Sequence, residues 1–195
     1  MIQIINYGAG NLRSIQNALK KLKIESKIIN SAKELDIFGK IIFPGVGAAG
    51  SAMQQLRKTG FDKVIPKIKG PFLGICLGMQ LLMDSSKENN TEGLKILTGK
   101  VRKFPKTVKI PQIGWNKIEI GNSTNPLLKD IPDQSYFYFV NSYYVESNSN
   151  TIAETAYGIN FASIINKENF YGVQFHPEKS GEIGEKLLNN FCKLC

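Results

Sequence analysis

Histidine is nearly absent from this chain: His176 is the one imidazole in 195 residues. Any acid–base step that needs an imidazole near neutral pH falls to that position alone. Cysteine is scarce as well, with Cys76, Cys192 and Cys195 making three. An odd number in a chain that is not small excludes a disulfide framework. Cys192 and Cys195 sit three apart near the C-terminus and are too few for a metal site. They read as incidental, and neither metal nor cofactor is expected. No apolar run approaches the roughly 20 residues of a membrane span. The opening MIQIINYGAG lacks the basic region and cleavage site of a signal peptide, so a cytoplasmic protein away from membranes is expected. Acidic residues are outnumbered, 16 against 25 basic, for a formal charge of +9. The lysines, among them Lys20, Lys63, Lys103 and Lys109, are scattered and not gathered around exposed aromatics, which argues against a nucleic-acid partner. The excess charge is either a solvated surface or a face that meets an acidic partner or phosphorylated substrates.

A hydrophobic content of 42% with 21% charged residues is that of an ordinary globular protein, and the length suits one domain spanning 1–195. No repeat, linker or low-complexity segment interrupts it. Strand-like and helical stretches alternate through the first half: strand 2–6, amphipathic helix 11–23, strand 26–30, a short helical stretch at 32–35, strand 41–43, helices 49–58 and 61–69, and strand 72–75. That rhythm predicts an α/β fold, a doubly wound and mostly parallel sheet with helices on both faces. The second half is richer in strands, at 101–104, 117–120, 136–144, 152–157, 162–166 and 170–174, which suggests antiparallel hairpins on one side of the sheet. Residues 89–93 and 122–125 read as loops, and 182–194 as a closing helix.

Ligands in such sheets gather beyond the carboxyl ends of the strands. Asn6, Pro44 and Cys76 all fall there. Cys76 follows the apolar run 72–75 and precedes Leu77-Gly78-Met79-Gln80-Leu81-Leu82-Met83, whose spacing is helical through Met83. This is the sharp strand-to-helix turn of a nucleophile elbow, with Gly74 and Gly78 relieving the crowding. A thiol at a helix N-terminus is favoured as thiolate. His176 lies in Phe175-His176-Pro177-Glu178. In extended backbone His176 and Glu178 point the same way, and Pro177 stiffens the pair. A thiol, an imidazole and a carboxylate are the parts of a Cys-His-Glu triad.

GICLGMQ at 74–80 and FHPEKS at 175–180 resemble the class I glutamine amidotransferases. PGVG at 44–47, GWN at 114–116 with the aromatic run 136–143, and NYGAGN at 6–11 narrow the resemblance. The set is similar to the glutaminase subunits of imidazole glycerol phosphate synthases, in order and along the whole chain.

The resemblance implies that Cys76 attacks the side-chain amide of L-glutamine, that His176 moves the proton, and that Glu178 orients the imidazole. It implies an oxyanion hole from the backbone of Leu77 with Val46 or Gly47, and substrate contacts from Gln80, Asn141, Ser142 and Tyr143. It also implies a partner, a (β/α)8 cyclase that uses the ammonia to make imidazole glycerol phosphate and a purine intermediate. Asn11, Trp115, Tyr138 and Lys179 would line that interface near the ammonia exit. Alone, the chain is expected to be a poor glutaminase with the 44–47 strand at rest. The family commonly has histidine where this chain has Gln112 and Asn141, so partner identity is what these positions put in question. Related glutaminase subunits feed surface-sugar amidotransferases, which is the alternative. A catalytically silent scaffold is a third reading, against which the intact Cys76, His176 and Glu178 argue.

Overall fold

The computed structural model describes residues 1–122 and 124–195. The first half alternates as the periodicity predicts: β1 (Ile2–Ile5), α1 (Leu12–Lys21), β2 (Ser26–Ile29), β3 (Ile41–Gly45), α2 (Ala49–Thr59), α3 (Phe61–Val64), β4 (Phe72–Cys76) and α4 (Leu77–Gln80). The second half contributes β5 (Ser85–Ser86), β6 (Thr91–Glu92), β7 (Lys100–Lys103), β8 (Gln112–Lys117), β9 (Glu119–Ile120), β10 (Tyr136–Asn141), β11 (Tyr143–Val145), β12 (Thr151–Ala156), β13 (Asn160–Lys167) and β14 (Phe170–Val173), closed by α5 (Gly181–Leu194).

Strands β2-β1-β3-β4-β14 run parallel, and from β14 the sheet continues antiparallel through β13 and β11 to β7. The parallel strands are apolar almost throughout because both of their faces are covered. Along β1, Ile2 and Ile4 face the layer of α1 and α5, where Ile15, Leu19, Leu187 and Phe191 pack. Ile5, with Ile41, Phe43 and Phe72, faces α2 and α3 on the other side. The amphipathic pattern of α1 explains its seat: Ile15 and Leu19 are buried and Asn11 caps its first turn, its Oδ1 accepting from the Ser14 N–H.

Several elements depart from expectation, each for an identifiable reason. The helix begun at Leu77 stops after one turn, because the carbonyls of Leu81, Leu82 and Met83 accept from Leu94, Ile96, Leu97 and Lys95. Tertiary pairing overrides the helical spacing there. The helix from Phe61 yields to a 3₁₀ turn, Ile65–Lys67, at Pro66, which has no N–H to continue the ladder. The 89–93 segment is not wholly a loop: β6 pairs with β5 as a small hairpin. Of the loop expected at 122–125, residue 123 lies outside the described residues.

The strand expected at 117–120 is two strands, β8 and β9, either side of buried Ile118. The run expected at 136–144 also divides, at Ser142. β11 stays in the main sheet, while β10 leaves it to form a separate antiparallel ribbon with β8. That ribbon is two-faced. Phe137 and Phe139 are buried on its inner side, where the Phe137 ring stacks on Phe175 at 4.0 Å. Trp115, Tyr138 and Tyr136 occupy the other side. No helix among the described residues is long and apolar enough to cross a membrane, and they hold no cluster of three or more His, Cys, Asp and Glu suited to a metal ion.

Candidate active site

The carboxyl ends of β3, β4 and β14 meet at one place. Gly45 pairs with Cys76 across β3 and β4, and Val173 pairs with Ile75 across β14 and β4. The next residue of β14's chain is Gln174, opposite Cys76, and His176 follows two residues later. Cys76 sits on the turn itself, with φ 54° and ψ −111°. A side chain held in this sparsely populated region costs on the order of 1–3 kcal/mol, which the surrounding packing must offset. Glycines make that packing possible. A Cβ on Gly78 would fall 2.0 Å from the Phe43 carbonyl oxygen, and one on Gly45 would fall 2.5 Å from the Gly78 nitrogen. Because α4 is a single turn, its macrodipole gives the thiol less help than the sequence suggests.

Three groups surround the sulfur. The Gln174 side-chain Nε2 approaches Sγ at 3.6 Å, and Sγ lies 3.8 Å from the Val140 carbonyl. The third is His176, only 4% exposed. Its Nδ1 pairs with Glu178 Oε1 at 2.8 Å, and the Glu178 side chain is itself 2% exposed. The pair does not lie on extended backbone. His176 is extended, but Pro177–Lys179 form a 3₁₀ turn, whose first position suits the fixed φ of Pro177. The turn brings the carboxylate back to the Nδ1 edge of the ring. Burial pulls the His176 pKa down, but hydrogen bonds to Cys76 and Glu178 and the charges of both outweigh it, raising the pKa to about 10. The imidazole therefore holds its second proton at neutral pH.

A cleft of about 330 Å³ opens over the thiol, lined by Val46, Gly47, Leu77, Gln80, Asn141 and Tyr143 among others. Every residue expected to bind glutamine or its oxyanion lines it, Ser142 included. Gly47 has φ +90°, a conformation open to glycine. Gln80 is more committed than expected. Its Nε2 donates both to the Tyr143 carbonyl at 2.9 Å and to Gln174 Oε1 at 2.8 Å, leaving only its oxygen for a ligand.

The residues expected at an interface divide. Trp115 and Tyr138 are register partners on the ribbon's outer face, with ring centroids 6.0 Å apart. Lys179 Nζ lies 6.0 Å from the Tyr138 ring and also lines the cleft. Tyr138 is tied to the triad: its carbonyl accepts from the His176 N–H at 2.9 Å, and its own N–H donates to Ser180 Oγ at 3.0 Å. Asn11 is exposed, caps α1 through its Oδ1, and lies outside the cleft lining.

Gln112 does not lie on the ribbon's exposed face. Gln112 and Asn141 are directly opposite each other in the β8–β10 register. Both are buried on the inner face that carries Phe137 and Phe139, so Gln112, at 3% exposure, has no surface to offer a partner. Two site residues escaped the sequence reading. Glu88, on a stretch without motif, lines the cleft and caps α2, accepting from the Ala49 N–H at 2.7 Å. Gln174 reads only as strand, although aligning Gly74 with Gly172 in parallel register puts it beside Cys76.

The geometry has clear relatives. The family model "Glutamine amidotransferase class-I" matches residues 3–195. The imidazole glycerol phosphate synthase subunit HisH of Caldanaerobacter subterraneus subsp. tengcongensis is 52% identical, over 100% of this chain and 98% of that protein. The protein of the same name from Methanocaldococcus jannaschii is 48% identical, over 100% of both. Among solved structures, PurLQS from Thermotoga maritima superposes with a TM-score of 0.73 at 18% identity, covering 98% of this chain and 96% of the other, a likeness of fold.

Proposed function

The chain belongs to the class I glutamine amidotransferases, and from that premise we propose that it is the glutaminase subunit of an imidazole glycerol phosphate synthase. It would supply ammonia to a (β/α)8 cyclase in histidine biosynthesis. The observation that carries the chemistry is a strained thiol at the base of a glutamine-sized cleft, beside an imidazole held by a buried carboxylate.

Sγ attacks the amide carbon of glutamine, and the carbonyl oxygen takes the negative charge. Backbone N–H groups at Leu77 and at Val46 or Gly47 receive that charge. The imidazolium of His176 protonates the amide nitrogen, the C–N bond breaks, and ammonia departs from a glutamyl thioester. Neutral His176 then takes a proton from water as the water oxygen attacks the thioester, the C–S bond breaks, glutamate leaves, and the thiolate and imidazolium are restored. Glu178 holds the imidazole in orientation throughout. In the cleft, the carboxylate of Glu88 suits the α-ammonium of the substrate, a second role beside its cap on α2.

The exposed ribbon face favours a protein partner. Ile113, Trp115 and Tyr136 form an apolar surface beside the cleft, with Trp115 55% exposed. Such a patch on a lysine-rich protein suits a docked subunit. Because the Tyr138 carbonyl holds the His176 N–H, a partner pressing on Trp115 and Tyr138 reaches the triad through one hydrogen bond. The shared name of the relatives favours the histidine branch over the surface-sugar alternative. The burial of Gln112 is in keeping with that reading, since its side chain offers little to a partner's surface.

The test is reconstitution with a histidine-pathway cyclase. The two chains should elute as one complex, and glutamate release should rise about 10- to 100-fold once the cyclase and its ligand are added, the range of ordinary coupling energies. Full activity in the isolated chain would refute the gating but not the glutaminase. Absence of both complex and stimulation would hand the reading to the surface-sugar branch.

A further inference from the structure

Resting on the glutaminase reading, we infer that Gln174 is a further catalytic residue: its side-chain N–H donates to Cys76 Sγ and stabilises the sulfur whenever it carries charge. Gln174 is completely buried, and its backbone N–H is fixed on the Ser163 carbonyl at 2.9 Å. The polarity of its amide is set by a chain of contacts that begins at a carbonyl. The Tyr143 oxygen can only accept, so the Gln80 nitrogen must face it, at 2.9 Å. That same nitrogen donates to Gln174 at 2.8 Å, which requires the Gln174 oxygen there. The Gln174 nitrogen is left facing Sγ at 3.6 Å. Reversing the Gln174 amide would set donor against donor, and reversing the Gln80 amide would set acceptor against acceptor. A buried carboxamide is thus locked with its donor on the nucleophile.

The consequence follows from where the charge sits. A hydrogen bond to an ionised acceptor is roughly twice as strong as one to a neutral acceptor. Sulfur is anionic before attack, loses that charge in the thioester, and regains it as the C–S bond to the glutamyl carbon breaks under attack by water. Gln174 therefore favours the free thiolate and its expulsion over the intermediate between them.

Two variants separate donation from scaffolding. Gln174→Glu keeps an acceptor for Gln80 but offers no N–H to sulfur; Gln174→Met removes both contacts. Alkylation of Cys76 by iodoacetamide, followed on its own peptide because Cys192 and Cys195 also react, reads the sulfur directly. Both variants should alkylate about 10- to 100-fold more slowly at neutral pH, the range for a hydrogen bond to a charged group, with the pH profile moved to the alkaline side. In complex with the cyclase, kcat for glutamate release should fall by a similar factor with little change in KM. Rates in both variants within about twofold of the parent, below any hydrogen-bond contribution of that size, would overturn the assignment. So would a Gln174→Glu variant that alkylates normally while Gln174→Met does not, since scaffolding alone would then explain the effect. Should a variant fail to fold, the unsubstituted protein decides: alkylating Cys76 must move the Gln174 side-chain amide resonance, and an unmoved resonance refutes the contact. A parent that releases no glutamate would defeat the glutaminase reading while the alkylation result still judges Gln174.

Discussion

Cys76→Ala should abolish glutamate release, by at least about four orders of magnitude, as removal of a triad nucleophile does elsewhere. No second thiol can substitute: Cys192 and Cys195 lie on or beyond α5, away from the cleft. Fold and partner binding should survive. Alanine is no more strained than cysteine at φ 54°, and the packing that holds the elbow comes from Gly45, Gly74 and Gly78, not from sulfur. Synthesis from added ammonium salts should also persist, because the proposed cyclase would carry the acceptor site. Measured side by side, glutamine-dependent synthesis should vanish and ammonium-dependent synthesis remain. Residual glutaminase near the parent rate would remove Cys76 from the chemistry.

Gly78→Ala should be nearly as damaging, for a steric reason. The added methyl would sit 2.0 Å from the Phe43 carbonyl oxygen and 3.1 Å from its carbon. Both are backbone atoms of the central strand β3, so no side-chain rotation relieves the clash. Either α4 lifts from β3, carrying Cys76 with it, or the parallel pairing of β3 with β4 yields. The expected cost is about 3 kcal/mol or more, at the upper end of overpacking. Displacing the thiol by an ångström would itself cost about 100-fold in rate. Gly50→Ala is the control. It lies in α2, where the new methyl meets Thr91 Oγ1 at 3.4 Å, an ordinary contact. That variant should be as stable as the parent or slightly more so. Chemical denaturation of both variants checks the contrast, and equal stability would contradict the steric account of the elbow.

The two halves of the molecule differ in how much of them can be read without coordinates. β1, β3 and β4 are legible because parallel strands buried on both faces appear as unbroken apolar runs, and α1 because Ile15 and Leu19 repeat on one face. The turn at Cys76 is legible for the same reason: strand and helix patterns abut at one residue. What fails is whatever depends on long-range pairing. The run from Tyr136 alternates as one strand, and only pairing with β8 on one side and β7 on the other divides it at Ser142. The apolar stretch to Met83 looks helical until the 94–97 segment takes its carbonyls.

The site shows the same division. Cys76, His176 and Glu178 announce themselves by residue type and spacing. Gln174 and Glu88 do not, since one reads as strand and the other falls in no motif, and only parallel register and the fold of the 85–92 hairpin bring them to the thiol. Gln112 misleads in the opposite direction. It neighbours exposed Ile113 and Trp115, yet strand alternation turns its side chain inward.

The central claim, that this chain releases ammonia from glutamine and passes it to a cyclase, is tested most directly with amide-¹⁵N-labelled glutamine. The complex should be supplied with that substrate and the cyclase's ligand, in a buffer containing an excess of unlabelled ammonium. Mass spectrometry of the imidazole glycerol phosphate formed then reports where its nitrogen came from. Directed transfer predicts a product carrying the label with little dilution by the pool, and loss of the label in the Cys76→Ala complex. A product whose nitrogen matches the unlabelled buffer, or no product at all from glutamine, would contradict it.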